Sequence, residues 1–410
     1  MNTNLYRIFG YTAGLAAALL MLSVTTMAMA DDDTITLGAA VSLTGKYSTN
    51  GKHTKNGYDL GVKIINDHGG VVVNGKHYKI AIKYYDDEST PARGTQLAER
   101  LINQDNIKYL LGPYSSGLTK AMAPVTEQYK VPMVEANGAA VDLFNKGYKY
   151  LFAILSTTDQ YLAPAVVMAA EVHKNPKKVK VAGAFENDPF SQDIQKGVFG
   201  LAKKDGMKIV IDDKLPPDLN DMASTLTKVK ALRPDLLVVS GHAKGAALAI
   251  RQIANMKVDV PMLALTHCDS ADIIGKFGKD AEYALCASQW DRSLKYSDKF
   301  FGSAEDFAKL FEKTYGYAAP YQAAESAAAV LVYKEAFEHA GKLDPQSVRD
   351  ALAETQMETF YGNVKFDKEG RNIAKPMVMY QVQDGQYKVV YPPKWANSTL
   401  RWPTPPWSKR

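Results

Sequence analysis

Short apolar runs alternate with longer apolar stripes along most of this chain. Residues 35–41 (Ile-Thr-Leu-Gly-Ala-Ala-Val) predict a buried strand, and Tyr58, Leu60, Val62, Ile64 and Ile65 form a helical stripe that ends at Gly69-Gly70. Residues 78–85 predict the next strand, with Ile80 and Ile82 alternating against lysines. Pro91 then opens a helix through Leu97 and Leu101, residues 107–111 predict a strand, 119–129 a helix and 131–134 a strand. This alternation means βαβ units and a parallel sheet covered on both faces.

The rhythm restarts near residue 157. Strands are expected at 179–185, 208–211, 236–240, 262–265 and 283–288, separated by helices near 161–173, 191–203, 223–232 and 244–256. Two successive α/β sheets imply two Rossmann-like lobes. After Trp290 come three helical stretches, 304–315, 321–340 and 345–354, with no strand between them, so they are expected to return and cover the first lobe. Residues 377–390 read as a hairpin turning at Asp384-Gly385. Repeated crossing makes a multi-strand hinge with a cleft between the lobes. The expected division is 31–156 with 291–366 as lobe 1 and 157–290 with 367–391 as lobe 2. Residues 392–410, rich in Pro and Trp, should wrap extended over a surface.

The first 30 residues are of another kind. They carry one charge, Arg7, then an apolar run over 15–22, and end Ala28-Met29-Ala30 before three aspartates. That is the pattern of a secretory signal peptide cleaved after Ala30, and its run is too short for a membrane span. No cysteine sits at the cleavage position, so a soluble, periplasmic protein without a lipid anchor is expected. About 380 residues would remain, enough for two domains with full cores. Losing Arg7 lowers the net charge from +5 to about +4, a mild excess. Lys174, Lys177, Lys178, Lys180, Lys203 and Lys204 flank apolar segments without interleaved aromatics, so they read as solvated faces rather than a nucleic-acid surface. Cys268 and Cys286 leave two readings open, a disulfide across a short loop or two separately buried thiols.

In open α/β sheets, ligands sit where strands end and helix N-termini present free N–H groups. Three turns qualify. Gly112-Pro113-Tyr114-Ser115-Ser116-Gly117 suits an anion through hydroxyls, backbone N–H groups and the helix dipole, or is a routine N-cap. Asn137-Gly138-Ala139-Ala140 lets an oxyanion approach the backbone. Residues 43–51 form a long polar loop placed to close a cleft from above. Enzyme signatures are missing: Ser115-Ser116-Gly117 does not fit a nucleophile elbow, and there is neither a His-Glu-x-x-His motif nor a phosphate loop, so no catalysis and no cofactor are expected. His242 and His267, at strand ends of the second lobe, suit a cleft-lining polar role. Thr266-His267-Cys268-Asp269 contains metal-capable groups, yet neighbours on a strand alternate faces, so no metal site is expected there.

At these turns the chain resembles the periplasmic leucine/isoleucine/valine-binding proteins, the solute-binding components of ABC uptake systems with the type I periplasmic binding fold. The likeness is colinear over roughly residues 34–390. It includes the loop from Gly45 to Gly51, Asn56-Gly57, Tyr84-Tyr85-Asp86-Asp87, Gly112 with Ser115-Ser116, the strand and turn from Pro132 to Ala140, and Phe366-Asp367-Lys368-Glu369-Gly370. It implies a protein that captures a small solute between two lobes, without catalysis, and delivers it to a membrane permease. A monomer is the default, because closure needs free lobes; a free-standing sensory module is the alternative of another class.

Carried over by position, the family's carboxylate site falls on Ser116 and on the backbone at Asn137 and Ala139. Its wall positions fall on Tyr47, Asn50, Phe190, His242 and Tyr321. Where amino-acid binders place a threonine hydroxyl for the α-ammonium, this chain has Ala139; where they place the neutralising carboxylate, it has Thr266. A buried ammonium without that partner costs about 3–5 kcal/mol, or two to three decades of affinity. The resemblance therefore implies a carboxylate ligand lacking an α-amino group, with an aromatic or other small organic acid favoured. Tyr47, Tyr114, Phe190, His242, Trp290 and Tyr321 would supply stacking walls, or else core and hinge packing. If Glu135, Asp159, Asp188 or Asp269 reaches the cleft, a branched-chain amino acid or amide becomes the alternative.

Overall fold

The computed structural model describes residues 33–410, so the leader and its cleavage position lie outside the described residues. The first six strands are β1 (Thr34–Val41), β2 (Val71–Val73), β3 (Lys76–Asp86), β4 (Leu110–Leu111), β5 (Met133–Glu135) and β6 (Leu151–Ala153). They form one sheet in the order β2-β3-β1-β4-β5-β6, parallel throughout except for the β2/β3 hairpin. Helices α1 (Ser48–Asp67), α2 (Pro91–Asn103) and α3 (Ser116–Tyr129) make crossovers. Central strand β1 is buried without interruption from Leu37 to Val41, as a sheet covered on both faces demands.

The second sheet repeats the plan with β7 (Lys180–Glu186), β8 (Lys208–Leu215), β9 (Leu236–Ser240), β10 (Met262–Thr266) and β11 (Leu285–Ser288), accompanied by α4 (Ala163–His173), α5 (Pro189–Lys204), α6 (Ala223–Leu232), α7 (Ala243–Met256) and the short α8 (Ile273–Phe277). A two-stranded ribbon of β12 (Ser297–Asp298) and β13 (Gly302–Ser303) precedes α9 (Ala304–Tyr315), α10 (Tyr321–Ala340) and α11 (Pro345–Ala353). A second ribbon, β14 (Gln356–Thr359) with β15 (Gly362–Lys365), follows. The chain then rejoins the second sheet through the hairpin β16 (Val378–Gln383) and β17 (Gln386–Tyr391), giving the order β17-β16-β11-β10-β9-β7-β8. Two parallel-dominated sheets with helices between the strands are the α/β class that the sequence predicts.

Helix α10 lies against α1 and is buried at 16 of its 20 positions, which explains its alanine-rich, non-amphipathic sequence. The contact is close because α1 carries glycine there: a Cβ at Gly57 would stand 2.2 Å from the Ala323 carbonyl oxygen. Three crossings join the sheets, and Gln289 ties them. Its side chain exchanges hydrogen bonds with the Ser156 backbone at 2.8 and 3.0 Å and accepts from Tyr361, while its carbonyl accepts from Lys375.

Some expectations are corrected. Residues 43–51 are not one loop, since α1 already begins at Ser48. Gly51 permits this, because any Cβ there would collide with the Ser42 carbonyl oxygen at 1.8 Å. Strands β2, β6 and β12–β15 were not legible, each being two to four residues long and too short to show a period. Cys268 and Cys286 form a disulfide with Cα atoms 5.9 Å apart, pinning the segment after β10 to β11. The tail runs along the second sheet's side: Gln381 donates to the Arg401 carbonyl, Thr404 to that of Pro261 and the Trp407 indole to that of Val258. Among the described residues no helix is long and apolar enough to cross a membrane.

Candidate ligand-binding cleft

Strand ends from both sheets meet at Tyr114. Its hydroxyl lies 2.7 Å from His242 Nδ1 and 2.9 Å from His267 Nε2, and all three side chains are buried. Tyr114 follows β4 on the first lobe, His242 caps α7 after β9, and His267 follows β10. The proton positions follow from the partners. His267 Nδ1 is 3.0 Å from the Gly241 carbonyl oxygen, which only accepts, so that nitrogen carries the hydrogen. Burial pushes the His267 imidazole down to about 3, keeping it neutral, so its bare Nε2 accepts from the Tyr114 hydroxyl. Tyr114 has no second proton, and His242 Nδ1–H must therefore donate to the phenol oxygen.

Aromatic rings pack around this chain of bonds. Tyr47 meets His242 edge-on at 4.6 Å and Tyr114 at 5.5 Å; Phe190 stands 5.2 Å from His267 and 5.1 Å from Tyr161; Tyr321 is 6.1 Å from His267. Other bonds also span the lobes. Asn50 Nδ2 donates to Ser270 Oγ at 3.0 Å, the Val141 amide donates to Asp193, and Lys46 reaches Glu186 at 3.6 Å and the Pro217 carbonyl at 3.3 Å. The lobes are closed on one another.

On the first lobe, the two small-residue turns touch. Ser115, held at φ 100°, caps α3 by accepting from the Leu118 amide, while Ser116 Oγ accepts from the Ala139 and Ala140 amides at 3.1 and 3.0 Å. The N-cap role thus belongs to Ser115, and the Ser116 hydroxyl proton stays available to an acceptor. Asn137 donates its side-chain amide to Ser326, and its buried Oδ1 has no partner.

Thr266 and Trp290 both turn their polar atoms to partners other than the cleft. Thr266 Oγ1 donates to the Gly241 carbonyl at 2.6 Å, so its hydroxyl is used inside the second lobe. Trp290 is turned into the hinge, its indole donating to the Phe360 carbonyl and its ring packing on Phe307. The four acidic candidates separate as well. Glu135 is sealed in the first lobe, accepting from Thr119, and burial pushes it up to about 7. Asp269 accepts from the Tyr321 amide and is pushed by burial up to about 6, and Asp159 accepts from Thr157. Asp188 alone reaches the histidines. One of its oxygens caps α5 through the Phe190 and Ser191 amides, and the other lies 3.7 Å from His242 Nε2. Burial opposes its charge, but His242 and the capping contacts outweigh that and hold Asp188 below the usual carboxylate range. Gln322, beside Tyr321, went unread in the sequence. It is wholly buried with neither amide atom paired, and only its place at a helix start could have marked it.

A family description of periplasmic binding proteins matches residues 34–386. The chain is 26% identical over 355 residues to Leu/Ile/Val-binding protein homolog 3 of Brucella melitensis, covering 86% of this chain and 92% of that relative. It is 24% identical over 343 residues to the leucine-, isoleucine-, valine-, threonine-, and alanine-binding protein of Pseudomonas aeruginosa, covering 82% and 87%. Among solved structures, it superposes with TM-score 0.76 on an ABC-transporter solute-binding protein from Rhodopseudomonas palustris BisB5 in complex with 3,4-dihydroxybenzoic acid, at 22% identity and covering 92% and 100%. The branched-chain amino acid transporter substrate-binding protein of Streptococcus pneumoniae, in complex with isoleucine, gives 0.76 at 23% identity, covering 88% and 100%. With two α/β lobes closed over a cleft made at their strand ends, this chain belongs to the periplasmic binding proteins, among those resembling the Leu/Ile/Val-binding proteins.

Proposed function

We propose that this protein is the exported solute-binding component of a branched-chain-amino-acid-type ABC uptake system, and that it encloses a small carboxylate without an α-amino group, above all an aromatic acid. The observation carrying the reading is what stands at the two ammonium-binding positions. Ala139 has no hydroxyl, and that of Thr266 is turned to the Gly241 carbonyl. In their place the cleft offers the rings of Tyr47, Phe190 and Tyr321 and, for a carboxylate, the Ser116 hydroxyl proton, its oxygen held by the Ala139 and Ala140 amides. A solute touching both lobes favours the closed form, which a permease then recognises. Relatives of the same architecture hold isoleucine in one case and a dihydroxybenzoate in another, so the residues of the cleft rather than the fold select the solute.

One observation favours a branched-chain amino acid instead. Asp188 presents a buried oxygen with no hydrogen-bond partner, and this can take the place of the missing ammonium ligand. Thermal shift on protein refolded to remove carried-over solute separates the two. A ligand at a hundred times its Kd stabilises by about 2.7 kcal/mol. Benzoates, cinnamates and short organic acids are expected to raise Tm while leucine and valine leave it unchanged. A response to leucine or valine replaces the proposal with the amino-acid reading.

A further inference from the structure

Three acceptors converge on the second lobe's side of the cleft. Glu186 ends β7, Asp188 follows two residues later, and His242 lies just past the end of the adjacent strand β9. One ligand atom from each lies within 4.8 Å of the other two, and all three residues are buried. His242 Nε2 and Asp188 Oδ2 face each other at 3.7 Å, and neither has a hydrogen-bond partner.

The proton order around Tyr114 makes this arrangement informative. Because His242 donates through Nδ1, its Nε2 is the nitrogen left to face the Asp188 carboxylate. Both atoms are buried without a hydrogen bond, and buried polar atoms are rarely left unpaired. A proton alone does not close the gap, since 3.7 Å exceeds hydrogen-bond length. An ammonium fits less well than a metal ion. Acceptors around an ammonium at about 2.8 Å stand about 4.6 Å apart, whereas ligands about 2.1 Å from a tetrahedral ion stand about 3.4 Å apart. Imidazole nitrogen with two carboxylate oxygens suits a borderline divalent transition metal. Tyr114 supplies the outer acceptor that a metal-bound imidazole commonly uses to fix its tautomer. Lys46 stands 3.6 Å from one Glu186 oxygen, but it comes from the first lobe and its side chain is 35% exposed, so it sits at the rim.

We propose that Glu186, Asp188 and His242 form a site for a divalent transition-metal ion such as Zn²⁺, with a coordination position left for water or for the carboxylate of a bound solute. All three ligands belong to the second lobe, so the site does not depend on the solute proposed above. These residues are distant in sequence, and only the adjacency of β7 and β9 assembles them.

The test is a titration of chelator-stripped, solute-free protein with Co²⁺, followed by its visible d–d absorption, with Zn²⁺ as competitor. One saturable ion per chain is expected, with Zn²⁺ bleaching the bands. Asp188→Asn should weaken binding at least about tenfold, and its side-chain oxygen still caps α5. His242→Gln should do the same, which guards against a folding artefact in either variant. Absence of saturable binding, or an affinity in both variants equal to that of the unmodified protein, overturns the proposal. The organic-acid melts are run in chelator, so that either idea can fail separately.

Discussion

The phenol oxygen of Tyr114 on the first lobe accepts from His242 Nδ1–H on the second at 2.7 Å, and its own proton goes to His267 at 2.9 Å. One hydroxyl thus pairs one nitrogen on each of two buried imidazoles across the cleft. In an open form water would serve all three groups, so this contact belongs to closure rather than to the folding of either lobe.

Tyr114→Phe keeps the ring and removes the hydroxyl. Two buried nitrogens then lack a partner in the closed form, each at a cost of about 1–3 kcal/mol. Solute affinity should fall at least about thirtyfold, and the radius of gyration of the unliganded protein by small-angle scattering should rise. Unchanged affinity and scattering would show that the hydroxyl does not hold the lobes together.

Lys46→Ala removes a weaker bridge. Its side chain is 35% exposed, and such pairs contribute about 0–1 kcal/mol. The solute Kd should rise no more than about fivefold, an effect that high salt erases. Co²⁺ should bind the variant more tightly, because Glu186 then loses its competing ammonium.

Replacing Cys268 and Cys286 by serine opens a loop with a sequence separation of 18 residues. Stability should fall by about 3 kcal/mol, read as a lower Tm that a reducing agent also produces in the unmodified protein but not in the variant.

Long elements were legible because they repeat their signals. The stripes of α9, the unbroken apolar run of β9 and the proline that opens α11 each mark their own bounds, and α10 shows itself by alanine and small residues all round. The strand-end positions of Tyr114, His242 and His267 could also be read. That Tyr114 bridges the two histidines could not, since it depends on how the second lobe seats against the first. The hinge cluster of Gln289, Tyr361, Glu325 and Lys375 left no trace in the sequence either. Single polar residues in unrelated segments carry no period, and only the three crossings bring them together.

Glu135 gives the protein a pH dependence that can be isolated. Its folded carboxyl keeps its proton up to about pH 7 because burial disfavours the charge, whereas the unfolded chain loses it near 4.5. Between those values the native state binds more protons than the unfolded one, so stability falls as pH rises. Glu135→Gln removes that titration. One of its two acceptor oxygens, used by Thr119 and the Asn137 amide, becomes a donor, which adds a penalty independent of pH. The difference between variant and parent should therefore move in the variant's favour from pH 4.5 to 7, by about 3 kcal/mol, and stay level above. Urea midpoints measured across pH 4.5–8 check this. Asp269, also raised, and Lys375, lowered to about 7, titrate in both proteins and drop out of the difference, so parallel curves would mean that Glu135 is ionised throughout.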